Sequence, residues 1–433
     1  MKNKNLFWLS LAAIPMVLAS CSKDDDMNNQ DHGASTIKVE NVLEGKPIVE
    51  SGVFKMASGD VVLPGKEISF QFSAAIGQAL SFTTMYGWSN DLFFAPENPG
   101  IQLYKEDGTP IEGDVSDQIK LWDNGTRINA KPGEHLQHPG TAESEPQKVM
   151  EIKGTDAQGN HYASASALMH VLLHYDGNSM FTVTIQNTSG NTTNPTPFSP
   201  GVWAISYIAG GELLSPAPLY KEGALTANGL TMQAEAGDPT ELATYIGGQT
   251  GIFTPLSPVL VVVYNGIDNP LFTTGKKDPG HGLSDIAQKG DASSLAEYLK
   301  SLEGVKAVYV LAAEGSTVLL PKAGDTKGSS VSQLLDIHKG DRIAIATMYG
   351  FSNDWFFATS GQGIDATSKG DVSSAIQLYD DGTAVNQYPG AGLTQFNLGG
   401  VPEEESAPIQ VVEKDNGFNI LPDVKDIIKV TIE

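Results

Sequence analysis

An octapeptide that occurs twice constrains this chain more than any other feature. Thr84-Met85-Tyr86-Gly87-Trp88-Ser89-Asn90-Asp91 returns as Thr347-Met348-Tyr349-Gly350-Phe351-Ser352-Asn353-Asp354, with Trp to Phe as the only change. An alternating run leads into both copies (Leu80, Phe82, Thr84; Ile343, Ile345, Thr347), and Phe residues follow both aspartates. Alternation with period two is a strand signal. A strand that ends in Gly-aromatic-Ser-Asn-Asp delivers a carboxylate to a loop at the rim of a sheet. There it suits an oxygen-loving metal ion or a hydrogen-bonded turn.

The matching continues downstream. Gly113-Asp114-Val115-Ser116 through Leu121-Trp122-Asp123-Asn124-Gly125-Thr126 corresponds to Gly370-Asp371-Val372-Ser373 through Leu378-Tyr379-Asp380-Asp381-Gly382-Thr383. Pro132-Gly133 and Pro389-Gly390 follow, and Phe181 to Ile185 is matched with Ile428 to Ile432. A second repeat lies between these copies. Thr196-Pro197-Phe198-Ser199-Pro200, Gly229-Leu230 and Ala234-Glu235-Ala236-Gly237-Asp238 are echoed by Thr254-Pro255-Leu256-Ser257-Pro258, Gly282-Leu283 and Ala287-Gln288-Lys289-Gly290-Asp291. Each of these copies is read as ending in a short helix; in the second, Asp291 caps it and Leu295, Leu299 and Leu302 form its apolar stripe.

Short alternating runs punctuated by turns, with glycine plus proline at 70 of 433 residues, indicate a mainly β protein. The expectation is two antiparallel β-sandwich domains with a few short helices, at 36–253 and 254–433. Within the first, 36–190 forms the body and 196–250 folds onto it as a permuted front; the second runs in direct order. Asn187 to Pro197, rich in Asn, Thr, Ser and Pro, reads as a linker.

The N-terminus has Lys2 and Lys4, an apolar run from Leu6 to Leu18, and then Ala19-Ser20-Cys21. This pattern, residues 1–20 followed by cysteine, resembles a bacterial lipoprotein signal in which Cys21 is acylated. The run is too short to span a bilayer. Ser22-Lys23-Asp24-Asp25-Asp26 and the polar residues that follow read as an acidic disordered tether over 21–35. The run also resembles an export signal for the outer face of the outer membrane. The expected partner is therefore the membrane, through the lipid anchor, with the protein exposed at the cell surface. Cys21 is the only cysteine, so disulfides and a thiolate site are excluded. A formal charge of -24 leaves no basic footprint, which argues against nucleic acid.

Ser257-Pro258, Phe272 to Gly275, Gly282-Leu283, Met348 through Ser352-Asn353-Asp354-Trp355-Phe356 and Asp380-Asp381-Gly382-Thr383 together resemble the spondin N-terminal domain family, of the F-spondin and mindin type. Residues 254–433 follow the family order, and 36–250 follow it only if permuted. The resemblance implies a C2-like sandwich that can hold calcium at one end. Carried over by position, the ligands are Asp354 with Asp380 in the second domain, and Asp91 with Asp123 in the first; Asp381 is the further ligand expected to compensate in the second for the acid that Ala384 replaces. Glu235 matches an acid of the family pattern, and Gln288 replaces it in the second copy. Where the pattern has an acid after Gly-Thr, this chain has Arg127 and Ala384, and Arg127 is expected to neutralise Asp91 or Asp123. The alternative for every one of these aspartates is turn formation.

No nucleophile elbow, zinc helix or phosphate-binding loop is present in the sequence. His170 and His174 fall on one face of a strand rather than on a helix, and His135 and His138 lie in a solvated Pro-Gly loop. Trp88, Trp122, Trp203 and Trp355 are candidates for a sugar platform or for core, with Trp122 and Trp355 assigned to core. The sequence therefore points to a non-enzymatic adhesion or ligand-binding module for an extracellular glycan or protein. Its alternatives are a glycan-binding accessory of a surface uptake system and a metal-dependent hydrolase.

Overall fold

The computed structural model describes residues 32–59, 61–395, 398 and 400–433. The expected signal segment, Cys21 and the acidic run 24–26 lie outside them. The chain is mainly β, in several antiparallel sheets with few helices.

Strands with one wet face alternate as the sequence does. Along Met180–Asn187, Phe181, Val183 and Ile185 are buried while the residues between them are partly exposed. Two strands are covered on both faces: all eight residues of Ala79–Tyr86, the polar Ser81, Thr83 and Thr84 among them, and all six of the uniformly apolar Val259–Tyr264 are buried. These two strands sit inside matching seven-stranded sheets. One sheet runs Ile48–Phe54, Phe198–Ser206, Ala79–Tyr86, Leu92–Pro96, Ile119–Asp123, Met150–Glu151, with Ile101–Gln102 as a seventh strand on Ala79–Tyr86. The other runs Val305–Leu311, Val259–Tyr264, Arg342–Met348, Trp355–Thr359, Ile376–Asp380, Gln410–Val411, with Ile364–Asp365 as a seventh strand on Arg342–Met348. A four-stranded sheet packs on one face of each, with the core between them. A helix pair packs on the other face: Leu230–Ala236 with Thr240–Gln249, and Leu283–Lys289 with Ser293–Lys300. Each domain is thus a sandwich with a third, helical layer.

The helix pairs turn sharply for a local reason. Gly237 and Gly290 end the first helix of each pair at φ 67° and 69°, in the left-handed region. A Cβ on either would lie 2.7 or 2.8 Å from the Cβ of Ser199 or Ser257. Asp238 and Asp291 then accept the backbone N–H of Thr240 and Ser293, each at 2.9 Å, and start the second helix.

Strand Phe198–Ser206 pairs with Ile48–Phe54 and Ala79–Tyr86, so the 196–250 segment is built into the first domain as a permuted front. The N-terminal strand departs from the expected division. Residues His32–Asn41 lie between Ser330–His338 and Ile428–Ile432 in the four-stranded sheet of the second domain. Two expectations change with it. The tether expected over 21–35 does not include 33–35, because Gly33, Ala34 and Ser35 pair through their backbones with Ile337, Asp336 and Leu335. The body of the first domain begins after residue 41.

The terminal-strand correspondence shifts as well. Val171 N–H donates to Ser116 Oγ at 2.9 Å, and Val430 N–H donates to Ser373 Oγ at the same distance. Ile428–Ile432 is therefore the counterpart of Met169–Gly177, not of Met180–Asn187. The place that Met180–Asn187 holds in the first domain is taken in the second by His32–Asn41, the first strand among the described residues. Nor is Asn187 to Pro197 a loose linker: Asn187, Ser189 and Thr196 are buried and hydrogen-bonded to one another.

Candidate functional site at the duplicated rims

Both copies of the octapeptide form the turn between two adjacent strands, at one end of the seven-stranded sheet. The turn is self-saturating. Ser89 Oγ donates to Tyr86 O at 2.7 Å and accepts from Leu92 N at 3.0 Å; Ser352 does the same with Tyr349 and Trp355 at 2.8 and 3.0 Å.

The aspartates at its end pin the neighbouring loop. Asp91 Oδ2 accepts from Thr126 N, Thr126 Oγ1 and Arg127 N at 2.8, 3.0 and 2.9 Å. Asp354 Oδ2 accepts from Thr383 N, Thr383 Oγ1 and Ala384 N at 2.7, 3.1 and 2.9 Å. Asp123 accepts from Gly125 N and Asn129 Nδ2, and Asp380 from Gly382 N and Asn386 Nδ2. Turn chemistry thus accounts for one oxygen of Asp91 and of Asp354, and for both oxygens of Asp123 and Asp380. The other oxygens of Asp91 and Asp354, Oδ1 in each case, are buried without a partner.

Around this shared frame the two rims differ in charge. In the first, Arg127 Nη2 pairs with Glu235 Oε2 at 2.7 Å, and Glu235 Oε1 lies 2.7 Å from Thr126 Oγ1, sharing that hydroxyl's single proton with Asp91 Oδ2. The expected partner of the Arg127 guanidinium was Asp91 or Asp123. Asp91 takes only its backbone N–H, and the guanidinium reaches across to the helix Leu230–Ala236 for Glu235. In the second rim Ala384 stands in place of Arg127, and Gln288 stands in place of Glu235, donating to Thr383 Oγ1 at 2.9 Å. Asn124 of the first rim is replaced by Asp381, fully buried, whose Oδ2 lies 3.1 Å from Thr383 Oγ1 and shares that hydroxyl's single proton with Asp354 Oδ2, and whose Oδ1 has no partner.

The electrostatic consequence is direct. Burial, and then the charge of Asp123, push Asp91 up to about 7; burial, and then Asp380, push Asp354 up to about 7. Asp381 goes to about 8, through burial first, then the charges of Asp278 and Asp354. No Lys or Arg pairs with a carboxylate at this second rim among the described residues. Asp354 Oδ1 and Asp381 Oδ1 are the buried oxygens a cation would take there. Among the described residues, no three acidic, His or Cys side chains converge closely enough to hold a metal ion by themselves. An ion at the second rim would draw its remaining ligands from carbonyl groups and water.

The other sequence candidates separate cleanly. Trp122 and Trp355 are core, 1% and 2% exposed. Trp203 is core as well, stacked on Phe70 at 5.4 Å, and cannot form a platform. Trp88 is half-buried at the first rim. His174 is exposed beside Glu112 and Asp176, and His135 is almost fully exposed. The contrast between Glu235 and Gln288 was visible in the sequence. Their contacts with Thr126 and Thr383 were not, since each is made across about a hundred residues. No protein-family model matches the chain, and no curated protein matches it at a significant level.

Proposed function

We propose that this chain is a surface-anchored, non-enzymatic ligand-binding lipoprotein whose second domain holds a calcium ion at the rim formed by Asp354, Asp380 and Asp381. Acylation at Cys21 supplies the anchor, placing the protein on the outer membrane facing outward. The proposal of an ion rests on the charge difference between the rims. In the first, Arg127 offsets Glu235, and of the carboxylates only Asp91 keeps an unpartnered oxygen. The second buries both Asp354 and Asp381 with an unpartnered oxygen on each, and no Lys or Arg pairs with either among the described residues. Such a pair is relieved either by a proton or by a cation, and calcium favours carboxylate oxygens. Asp354 and Asp381 would contact the ion, while Asp380 holds the loop through Gly382 N and Asn386 Nδ2. The ion would stiffen the rim and offer an open coordination position to a ligand. It is proposed for the second rim alone.

The test is calorimetric titration of the purified chain with calcium, paired with melting in calcium and in chelator. Binding that disappears in Asp381→Asn and in Asp354→Asn, with a rise in melting temperature that follows the mass-action law, supports the reading. No heat and no shift would remove calcium from it.

A further inference from the structure

The loop that follows the second rim does not stay in its own domain. Its first residues are tied to the rim. Asp354 holds the backbone N–H groups of Thr383 and Ala384, and Asn353 Nδ2 donates to Val385 O. Asn386 donates to Asp380 through Nδ2 and accepts from Trp355 Nε1 at 2.6 Å through Oδ1. The residues after them are tied to the first domain. Gln387 Oε1 accepts from Ser179 Oγ at 2.9 Å and from Leu393 N at 2.7 Å, and Leu393 N also lies 3.0 Å from Ser179 Oγ. Gly390 O accepts from Gln78 Nε2 at 2.8 Å. Leu393 packs against the hydrophobic core of the first domain, and Tyr207 of the first domain stacks on Phe351 with centroids 5.8 Å apart.

The first domain is shaped to receive this loop. Ser179 sits at φ 66° in the tight turn between Met169–Gly177 and Met180–Asn187, a left-handed conformation that favours glycine, and it is fully buried. Gln78, 2% exposed, accepts from Ala75 N at 2.7 Å through Oε1 while its Nε2 reaches Gly390. The corresponding loop of the first domain begins in the same way, with Asn129 Nδ2 on Asp123. The residue after Asn129 is Ala130, exposed and with no side-chain polar group, where the second loop has Gln387.

We infer that residues 383–393 are a strap that couples the second rim to the docking of the first domain, so that loosening the rim loosens the junction, and the reverse. Contacts between domains of one chain leave relative motion as the default. Here the segment whose start is held by rim carboxylates supplies polar bonds across the junction, and a coupling free energy of this kind is reciprocal. The strap stands on Asp380, Asn386 and Gln387 and needs no ion. That an ion would be felt at the junction rests on the calcium reading.

Amide hydrogen exchange of the full chain, read by mass spectrometry in chelator, tests the strap. Asn386→Ala frees it from Asp380 and Trp355 without touching the first domain. Exchange should rise at least tenfold in 383–393 and also in 74–79, where the Ala75 amide depends on Gln78. The amides of Thr126 and Arg127, at the far end of strand Ala79–Tyr86 from Gln78, should not change. Ser179→Ala, made in the first domain, should speed exchange at Thr383 and Ala384, which Asp354 holds. Gln387→Ala, which leaves the rim bonds in place, should reproduce the effect on 74–79 and serves if Asn386→Ala fails to fold. Faster exchange in 383–393 with none in 74–79 overturns the inference, as does Ser179→Ala without effect on 383–384. In calcium the wild type should slow at 383–384 and 74–79 together; calorimetric binding of calcium with 74–79 unchanged also overturns the coupling. Absence of calcium binding overturns the calcium reading alone, and the three variants then decide the strap.

Discussion

Asn41 does in the second domain what Asn187 does in the first. The Asn187 carboxamide donates to Val62 O and Thr196 O at 2.7 and 2.8 Å, and that of Asn41 donates to Leu319 O and Thr254 O at 2.9 and 3.0 Å. Each carboxamide oxygen then accepts an N–H two residues on, from Ser189 and from Leu43. Two residues in unrelated places along the chain thus occupy one structural position. The N-terminal strand belongs to the second domain by chemistry as well as by pairing.

Asn41→Ala should therefore destabilise the second domain and leave the first unchanged. The substitution strands two buried carbonyl groups, for which about 2–3 kcal/mol is expected. Asn187→Ala should do the converse at similar cost. Urea denaturation followed domain by domain, using the buried Trp355 of the second domain and Trp122 and Trp203 of the first, reads both. Equal loss in the two domains from either variant would contradict the assignment.

The carboxyl of Asp381 makes stability depend on pH in a defined direction. Its pKa rises from the ordinary 3.8 to about 8 on folding, so the folded chain holds that proton more tightly than the unfolded chain does. Stability from this group is full below about 4 and is lost as pH climbs to about 8. Asp354 and Asp91, both raised to about 7, act in the same direction over a narrower window. In chelator, melting temperature should fall between pH 5 and 8.5. Asp381→Asn, which installs the residue present at Asn124, should melt higher than wild type at pH 8, with a flatter profile. The shift follows from about 2–4 °C per kcal/mol for a domain of this size. In calcium the wild type should recover most at the alkaline end, where the proton no longer competes.

Arg127 is expected to hold the first rim together in place of an ion. Arg127→Ala leaves Glu235 and Asp91 buried near each other without a cation. We expect a loss of about 2–3 kcal/mol, below the range for fully buried pairs because Arg127 is 23% exposed. The variant should also acquire a calcium response not expected of the wild-type first domain, read as an additional binding event in the titration. A variant as stable as wild type would show that the Arg127–Glu235 pair is ornamental.

The parts of this fold that could be read in the sequence are those whose geometry is made locally. The rim turn is legible because Ser89, Asn90 and Asp91 satisfy bonds within their own loop or the next one, so the same letters produce the same shape at Ser352, Asn353 and Asp354. The permuted front was legible because Ser199 and Ser257 recur beside Pro with matched glycines downstream. The N-terminal strand was not. Ile37-Lys38-Val39 alternates as any half-buried strand does, and alternation carries no address. The one local clue was the closing asparagine shared by Val39-Glu40-Asn41 and Ile185-Gln186-Asn187. The Arg127–Glu235 pair was hidden for a related reason: a 2.7 Å contact across 108 residues depends on how a helix lies on a sheet.

The position of the N-terminal strand sets a timetable. Glu40 is made early and lies opposite Ser330, 290 residues later in the chain, and opposite Lys429, later still. The first domain has all its strands before residue 254 is reached, so it can close while the strand that precedes it waits. During that interval the strand presents an unpaired hydrogen-bonding edge, the kind of surface that recruits a wrong neighbour. Ile428–Ile432 is the strand that encloses it on its second side. Completion of the second domain therefore waits for residues 428–432, and a molecule truncated before them leaves the N-terminal strand open on that side.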